Sequence, residues 1–436
     1  MSRAAPADAA VDQSRPNRSA LPTVAGEERL RVAVIAPPFF PIPPAGYGGI
    51  ERVVAAQAEG LVAAGHDVTL FAAAGSATRA RLVVPLDSPL PLGDAASISD
   101  ELFHATTAYL EAESFDVIHD HTGVGITIGA MLHQGPPVVH TLHGPWTEPS
   151  RRLLGRLRHR LHLVAISRAQ RDANPHVRYA GVVHNGVDLA AYPFNPIKED
   201  FVVFVGRTSP EKRPEVAVEV ARRAKLPLVM MVKRNEPAER AYWDEVVVPQ
   251  LHADVEVVEQ PPHELKVDLI GRARAMLFPI AWPEPFGLVM PETMACGTPV
   301  IAHPRGAAPE VIIDGVTGFL CPTIDEMIDA VAAARDLQPQ DCRLHVERHF
   351  SAGAMVAGYE QVYRAALGLA RHPSEPVAPV SQGEALASCG TGNGRGAALL
   401  QARGSENGDG TVTDLREGEF KPSHRNSPMR LGGVVW

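Results

Sequence analysis

The sequence predicts an α/β protein of two doubly wound parallel-sheet domains that face a central cleft. Three observations predict it. The chain has 436 residues, too many for one ordinary core at roughly 100 to 200 residues per domain. Short apolar runs alternate with helix-period segments, the pattern of strand, helix, strand units in a parallel sheet. The pattern occurs twice, in series separated by the polar, proline-marked stretch YPFNPIKED.

Residues 1–29 are rich in Ala, Pro, Arg and Asp without periodicity and read as a disordered leader. The first domain, 30–194, opens with the strand RVAVIAP and the helix GGIERVVAAQAEGLVAAGH. It continues through DVTLFAA, FDVIHDH, the helical TGVGITIGAMLHQ, PPVVHTLHG, LVAISRAQRDA and YAGVVHNGVD. The second domain, 200–348, runs from FVVFVGR and PEVAVEVARRA through PLVMMVK, DVEVVEQ, ELKVDLIGRARA and MLFPI to AWPEPFGLVMPETMACGTPV and PEVIIDGVTGFLC. An amphipathic segment, 351–370, with Ser351 as N-cap, reads as a helix crossing to one of the domains. From 372 to 436 a Gly, Ser and Arg mixture reads as a disordered tail.

A formal charge of −9 argues against nucleic acid as a partner, since phosphate neutralisation needs a basic field. The cysteines Cys296, Cys321, Cys342 and Cys389 lie far apart, without C-x-x-C spacing, so neither a zinc site nor a disulfide framework is expected. No signal-peptide core stands at the N-terminus, and the longest apolar stretch near it is cut by prolines. A cytoplasmic protein is therefore expected. The segment RRLLGRLRHRLHLV, 151–164, sets Leu153, Leu154, Leu157, Leu161 and Val164 at near-helical spacing against Arg and His. It reads as a helix covering the sheet, or as a weak peripheral contact with an anionic inner membrane face.

Open parallel sheets hold ligands beyond the carboxyl ends of their strands, so residues just after strands are the site candidates. In EPFGLVMPE, Pro291 must lie in a first helical turn, because deeper it would clash with the preceding turn. The helix then starts near Leu288 and ends by Gly297 and Pro299. Glu284 precedes it, Glu292 sits in its first turns, and the backbone N–H groups of Phe286, Gly287 and Leu288 make an anion site. Standing alone, the two glutamates also read as a capping carboxylate and a solvated helix acid. In FVVFVGRTSPEKRPE, Arg207 follows a buried strand and Lys212 lies close behind; both suit an anionic ligand. The alternative is a charged loop with Ser209 capping the next helix. Gly48 and Gly49 open the helix of YGGIERVV, where backbone can approach a phosphate, although the third glycine of a dinucleotide fingerprint is missing. His143, beside Gly144 at a strand exit, is the histidine expected to touch a ligand, whereas His119, His121 and His140 read as structural. Phe39, Phe40, Tyr47 and Trp146 are aromatic loop residues able to stack on a ligand or to pack.

Taken in this order, YGGIERVV, GRTSPEKRPE and PEPFGLVMPETMACGTPVIA resemble the family 4 retaining glycosyltransferases of GT-B fold, over about residues 30–368. The third block looks like the family's E-x7-E motif, Glu284 to Glu292. HNGVD is similar to the segment leading into the domain linker, and TLHG to the place of the cleft histidine. The resemblance implies a GT-B architecture of two Rossmann-like domains. It implies that Arg207 and Lys212 hold a donor diphosphate and that Glu292 accepts the ribose hydroxyls. Glu284 with the Phe286–Leu288 backbone addresses sugar and phosphates, Gly48 and Gly49 approach the diphosphate, and His143 sits by the transferred sugar. Neither glutamate is then a covalent nucleophile. The implied reaction is retaining front-face displacement from a nucleotide sugar, with a UDP-sugar as the expected co-substrate and no resident cofactor or metal. Pro285, Pro291, Thr293 and Ala307 depart from common family residues. A nucleotide-sugar epimerase, a phosphorylase, and a non-catalytic sugar-binding protein are the competing readings. The acceptor, whether small molecule, glycan or lipid, has no readable code in the first-domain loops.

Overall fold

The computed structural model describes residues 29–46, 48–92, 97–131, 135–157 and 161–369. The expected leader and tail, Arg29 apart, lie outside them, as does Tyr47. The first sheet contains β1 (Arg31–Ile35), β2 (Asp67–Phe71), β3 (Arg81–Val83), β4 (Val117–Asp120), β5 (Val138–Leu142), β6 (His162–Ala165) and β7 (Tyr179–Val182), in the order β3-β2-β1-β4-β5-β6-β7. The second contains β8 (Val202–Arg207), β9 (Leu228–Lys233), β10 (Val255–Glu259), β11 (Ala275–Phe278), β12 (Val300–Ala302) and β13 (Gly318–Leu320), in the order β10-β9-β8-β11-β12-β13. The strands pair in parallel in both sheets. Strand order reverses between β1 and β4 and again between β8 and β11, which creates two crevices for ligands at the carboxyl ends.

Central strands are buried on both faces, which is why VAVI, VIHD and AMLF carry almost no alternation. Where a polar residue falls in such a strand it has to be satisfied within the core. His119 on β4 bonds Thr141 Oγ1 at 2.8 Å and the Tyr363 hydroxyl at 2.6 Å, so its structural reading holds. Tyr363 and Tyr359 come from the helix Ala352–Ala366, whose cap Ser351 accepts the Ala354 N–H at 3.2 Å. That helix packs on the first domain, its Met355, Val356 and Val362 joining the core of Leu61 and Val183.

The helical reading of 151–164 is corrected. The helix Glu148–Leu157 ends early, Leu161 is buried, and Val164 lies within β6. The later leucine and valine are drawn into the sheet core, and helical spacing over so short a stretch cannot tell strand from helix. Leu153 is exposed and Leu154 is buried. No described helix is long and apolar enough to cross a membrane. Several elements were not read from the sequence, among them β3 and the helices Ser97–Leu110, Pro237–Tyr242, Ile324–Ala333 and Pro339–His349. β3 is a three-residue edge strand, and the Ser97–Leu110 helix leaves Ile98 and Phe103 55% and 56% exposed, which blurs its apolar face.

Candidate active site

β8 delivers Arg207 at its carboxyl end, at the second switch point. The guanidinium donates to Glu211 Oε1 at 2.8 Å and reaches Glu239 Oε1 at 3.4 Å. The expected Ser209 cap is not formed. The next helix begins at Pro214, since proline favours the first helical position, and Arg213 before it takes the left-handed region at a φ of 53°. The Ser209 carbonyl instead accepts the N–H groups of Lys212 and Arg213 in a turn. That turn aims Lys212 at Glu284. Lys212 Nζ pairs with Glu284 Oε2, and Trp282 Nε1 donates to the same oxygen at 2.9 Å. Lys212 also lies 5.1 Å from the centre of the Trp282 ring, a cation-π contact. Glu284 is therefore a clamped carboxylate, not a cap.

The helix after Glu284 is Val289–Ala295, with Leu288 as its N-cap and Pro291 in the first turn. Gly287 takes a φ of 76° before it, and Phe286 is core, its ring near His184 and Phe350. The Phe286 side chain is thus committed to the core. Glu292 is buried; its carboxylate accepts the Tyr192 hydroxyl at 2.5 Å and Lys266 Nζ at 2.6 Å. Burial pushes this carboxyl upward, but the Lys266 charge and the two hydrogen bonds outweigh it and hold it below the usual value. Beside it a cavity of about 540 Å³ runs between the domains, reached by Arg52, Asp188 and Leu288.

On the first-domain side, Gly48 precedes the helix Gly49–Ala63 at a φ of 141°, and a Cβ there would lie 2.9 Å from Pro44. A narrower cavity of about 70 Å³ opens at the carboxyl ends of β1, β4 and β5. Gly49, Glu51, His121, His143 and Trp146 are among its walls. His143 bonds His121 ring to ring, Nε2 to Nδ1, at 2.8 Å, and burial pushes it down to about 3, so it is neutral. The structure thus gathers Gly49 and His143 at one switch point, and Arg207, Lys212 and Glu284 at the other. His121, read from sequence as structural, also faces the narrow cavity. Sequence reasoning missed Glu51, although it lies two residues beyond the quoted glycine pair. Also missed were Lys266 and Tyr192, the partners of Glu292, because each comes from a distant segment. Among the described residues no cluster of three His, Cys, Asp or Glu is placed to hold a metal ion.

Two family models match the chain: "Glycosyltransferase Family 4" over residues 47–191 and "Glycosyl transferases group 1" over 193–343. They divide where the two sheets divide. The chain belongs to the family 4 glycosyltransferases. Among relatives of this glycosyltransferase is the D-inositol 3-phosphate glycosyltransferase of Mycobacterium avium, 29% identical over 364 residues, 70% of this chain and 85% of that protein. Among solved structures, AviGT4, a glycosyltransferase of avilamycin A biosynthesis, is 27% identical with a TM-score of 0.62, covering 78% of this chain and 99% of its own. Anabaena HepE, solved with UDP-glucose, has a TM-score of 0.58 at 17% identity, covering 77% and 99%. The glycosyltransferase therefore has the GT-B fold, and the reading as a non-catalytic sugar-binding protein is set aside.

Proposed function

We propose that this glycosyltransferase moves a sugar from a nucleoside diphosphate sugar, a UDP-sugar, to a hydroxyl acceptor with retention of anomeric configuration and without a metal. The observation that carries the reading is the pair Arg207 and Lys212 at the exit of β8, with Lys212 held against Glu284 of the E-x7-E segment. A diphosphate leaving group needs preorganised positive charge, and these cations supply it. Arg207 exchanges one of its glutamate contacts for phosphate oxygens in a forked bond. Lys212 turns from Glu284 toward the diphosphate and frees that carboxylate for the sugar hydroxyls. Glu292 accepts ribose hydroxyls beside its bonds from Tyr192 and Lys266. The backbone at Gly48 and Gly49 approaches the diphosphate from the other domain, and His143 lies by the sugar. In the reacting step the bond from C1 to the diphosphate oxygen breaks while the acceptor oxygen bonds C1 on the same face. The acceptor proton passes to the departing phosphate oxygen. HepE's complex with UDP-glucose and the relatives' names support a nucleotide sugar as donor.

The test is a thermal-shift panel of UDP, GDP, ADP, TDP and CDP, each without and with a chelator, on the wild type and on Arg207→Lys. A ligand at about 100 times its Kd stabilises by roughly 2.7 kcal/mol. A UDP shift seen only in the wild type, indifferent to chelator, is expected; no shift with any nucleotide refutes the reading. Proton NMR of the first-formed product then reads the anomer, and an inverted linkage rejects retention.

A further inference from the structure

Beyond Gly49 and His143, which the proposed function turns toward the donor, the narrow cavity at the first domain's switch point has walls to which that reading gives no role. Its walls are aromatic and apolar at Phe39, Phe40 and Trp146, and polar at Glu51, Thr122 and His121. No lysine or arginine is among its described lining residues. Arg151, behind the Trp146 wall, lies 5.7 Å from the centre of that ring and donates to the Ala173 carbonyl at 2.7 Å.

Glu51 is 4% exposed, and among the described residues only its own backbone N–H bonds its carboxyl. A carboxyl bonded by one backbone N–H keeps further lone pairs with which to accept from a ligand hydroxyl. His121 Nε2 is buried without a hydrogen-bond partner among the described residues. Burial keeps the imidazoles neutral, His140 and His143 down at about 3 and His121 well below its ordinary value, so they add no positive charge at neutral pH.

We propose that this cavity is the acceptor subsite for an uncharged, polyhydroxylated molecule with an apolar or aromatic face, and that Glu51 binds one of its hydroxyls. Away from Gly49 the described walls supply no cation, so they do not suit a phosphorylated acceptor. A phosphate monoester brings about −1.5 to −2 charge at pH 7 and calls for cations, whereas this cavity offers a carboxyl and neutral rings. The acceptor class therefore departs from that in the name of the Mycobacterium avium relative. The inference rests on the glycosyltransfer reading above, which holds the donor's nucleotide mainly on the second domain and brings its sugar to His143, at the mouth of this cavity.

The experiment uses the full chain, the donor selected by the nucleotide panel, and matched probes: myo-inositol against D-inositol 3-phosphate, and 4-nitrophenyl glucoside against glucose 6-phosphate. The neutral member of each pair is expected to have at least tenfold higher kcat/KM. Glu51→Ala raises the neutral acceptor's KM tenfold or more with kcat nearly kept, and Glu51→Gln, which retains the hydrogen bond, restores it. Trp146→Ala weakens the nitrophenyl glucoside more than myo-inositol. Preference for either phosphorylated member overturns the inference, and so does an acceptor KM indifferent to Glu51→Ala. Calorimetry of the same pairs decides without turnover: failure of both neutral members to bind overturns it. Nucleoside diphosphate release from donor alone is measured in parallel. Its presence beside a phosphorylated preference refutes the subsite while leaving glycosyltransfer standing; absence of donor binding and release refutes glycosyltransfer itself.

Discussion

Arg207 carries two duties that one substitution must separate. Its guanidinium neutralises Glu239, which is only 3% exposed on its side chain, as well as facing the proposed diphosphate. Alanine would strip a buried carboxylate of its arginine, leaving it the Glu236 N–H at 3.2 Å and the charge of Lys233, and so confuse folding with catalysis. Lysine keeps the charge but loses the fork. Arg207→Lys is therefore expected to hold Tm within a few degrees while turnover falls about 100-fold; equal loss in both, seen by calorimetry and initial rates, would make Arg207 structural. Glu51 gives a second residue-scale prediction. Burial raises its carboxyl from 4.5 to about 7, so the native state holds the proton more tightly than the unfolded chain. Its stabilising share is complete below pH 4.5 and is lost as pH rises through 7. Glu51→Gln should thus gain on the wild type by on the order of 3 kcal/mol between pH 4.5 and 8, and urea melts at both pH values that show no such gain would contradict it. Arg207 was legible because an arginine directly after a buried apolar run can only sit at a strand exit. Its partner Glu239 was not, since a residue 32 positions on is brought near only by the winding of the sheet.

Elements set where those residues point. The loop before the helix Val289–Ala295 is held by a neighbour the sequence did not single out, Gly306, at a φ of 56°. A Cβ there would stand 2.2 Å from the Glu284 carbonyl oxygen, which accepts the Ala307 N–H at 2.9 Å. Both the backbone angle and the space forbid a side chain. Gly306→Ala is expected to displace Glu284 and cut turnover at least 100-fold, with a Tm lowered by several degrees; a variant with wild-type rates would show that Glu284 needs no such support. Proline at 291 and glycine at 297 made this helix readable to within a residue or two. The 351–370 helix was readable too, but not its seat on the first domain. That seat depends on Tyr359 and Tyr363 meeting Thr141 and His119, pairings more than 200 residues apart in sequence. Periodicity reports which face of an element is apolar and says nothing of which surface will cover it.

Across the whole molecule, the two domains meet through a carboxylate that local motifs did not reveal. Glu310, on the helix Ala308–Val311 of the second domain, accepts the N–H groups of Arg168 and Ala169 at 2.8 and 2.6 Å, at the start of the helix Arg168–Asp172 in the first. His184 Nε2 lies 3.1 Å from the same carboxylate. Burial raises this carboxyl, yet the hydrogen bonds from His184 and the two N–H groups prevail and lower it. Its contribution is then present above the ordinary carboxylate value and lost as pH falls through the depressed one. Such charge-assisted bonds are worth about 1.5 to 3 kcal/mol each, and about 1.4 kcal/mol is tenfold in an equilibrium. Glu310→Ala is therefore expected to shift the domains toward separation by tenfold or more. If donor and acceptor groups from opposite domains must close on one substrate, the shift appears as a raised donor KM together with a larger radius of gyration by small-angle scattering. Unchanged scattering would show that the apolar contacts of Ile166, Val187 and Tyr192 with the second-domain core fix the arrangement alone. A larger radius with unchanged KM would show that closure is not what limits donor binding.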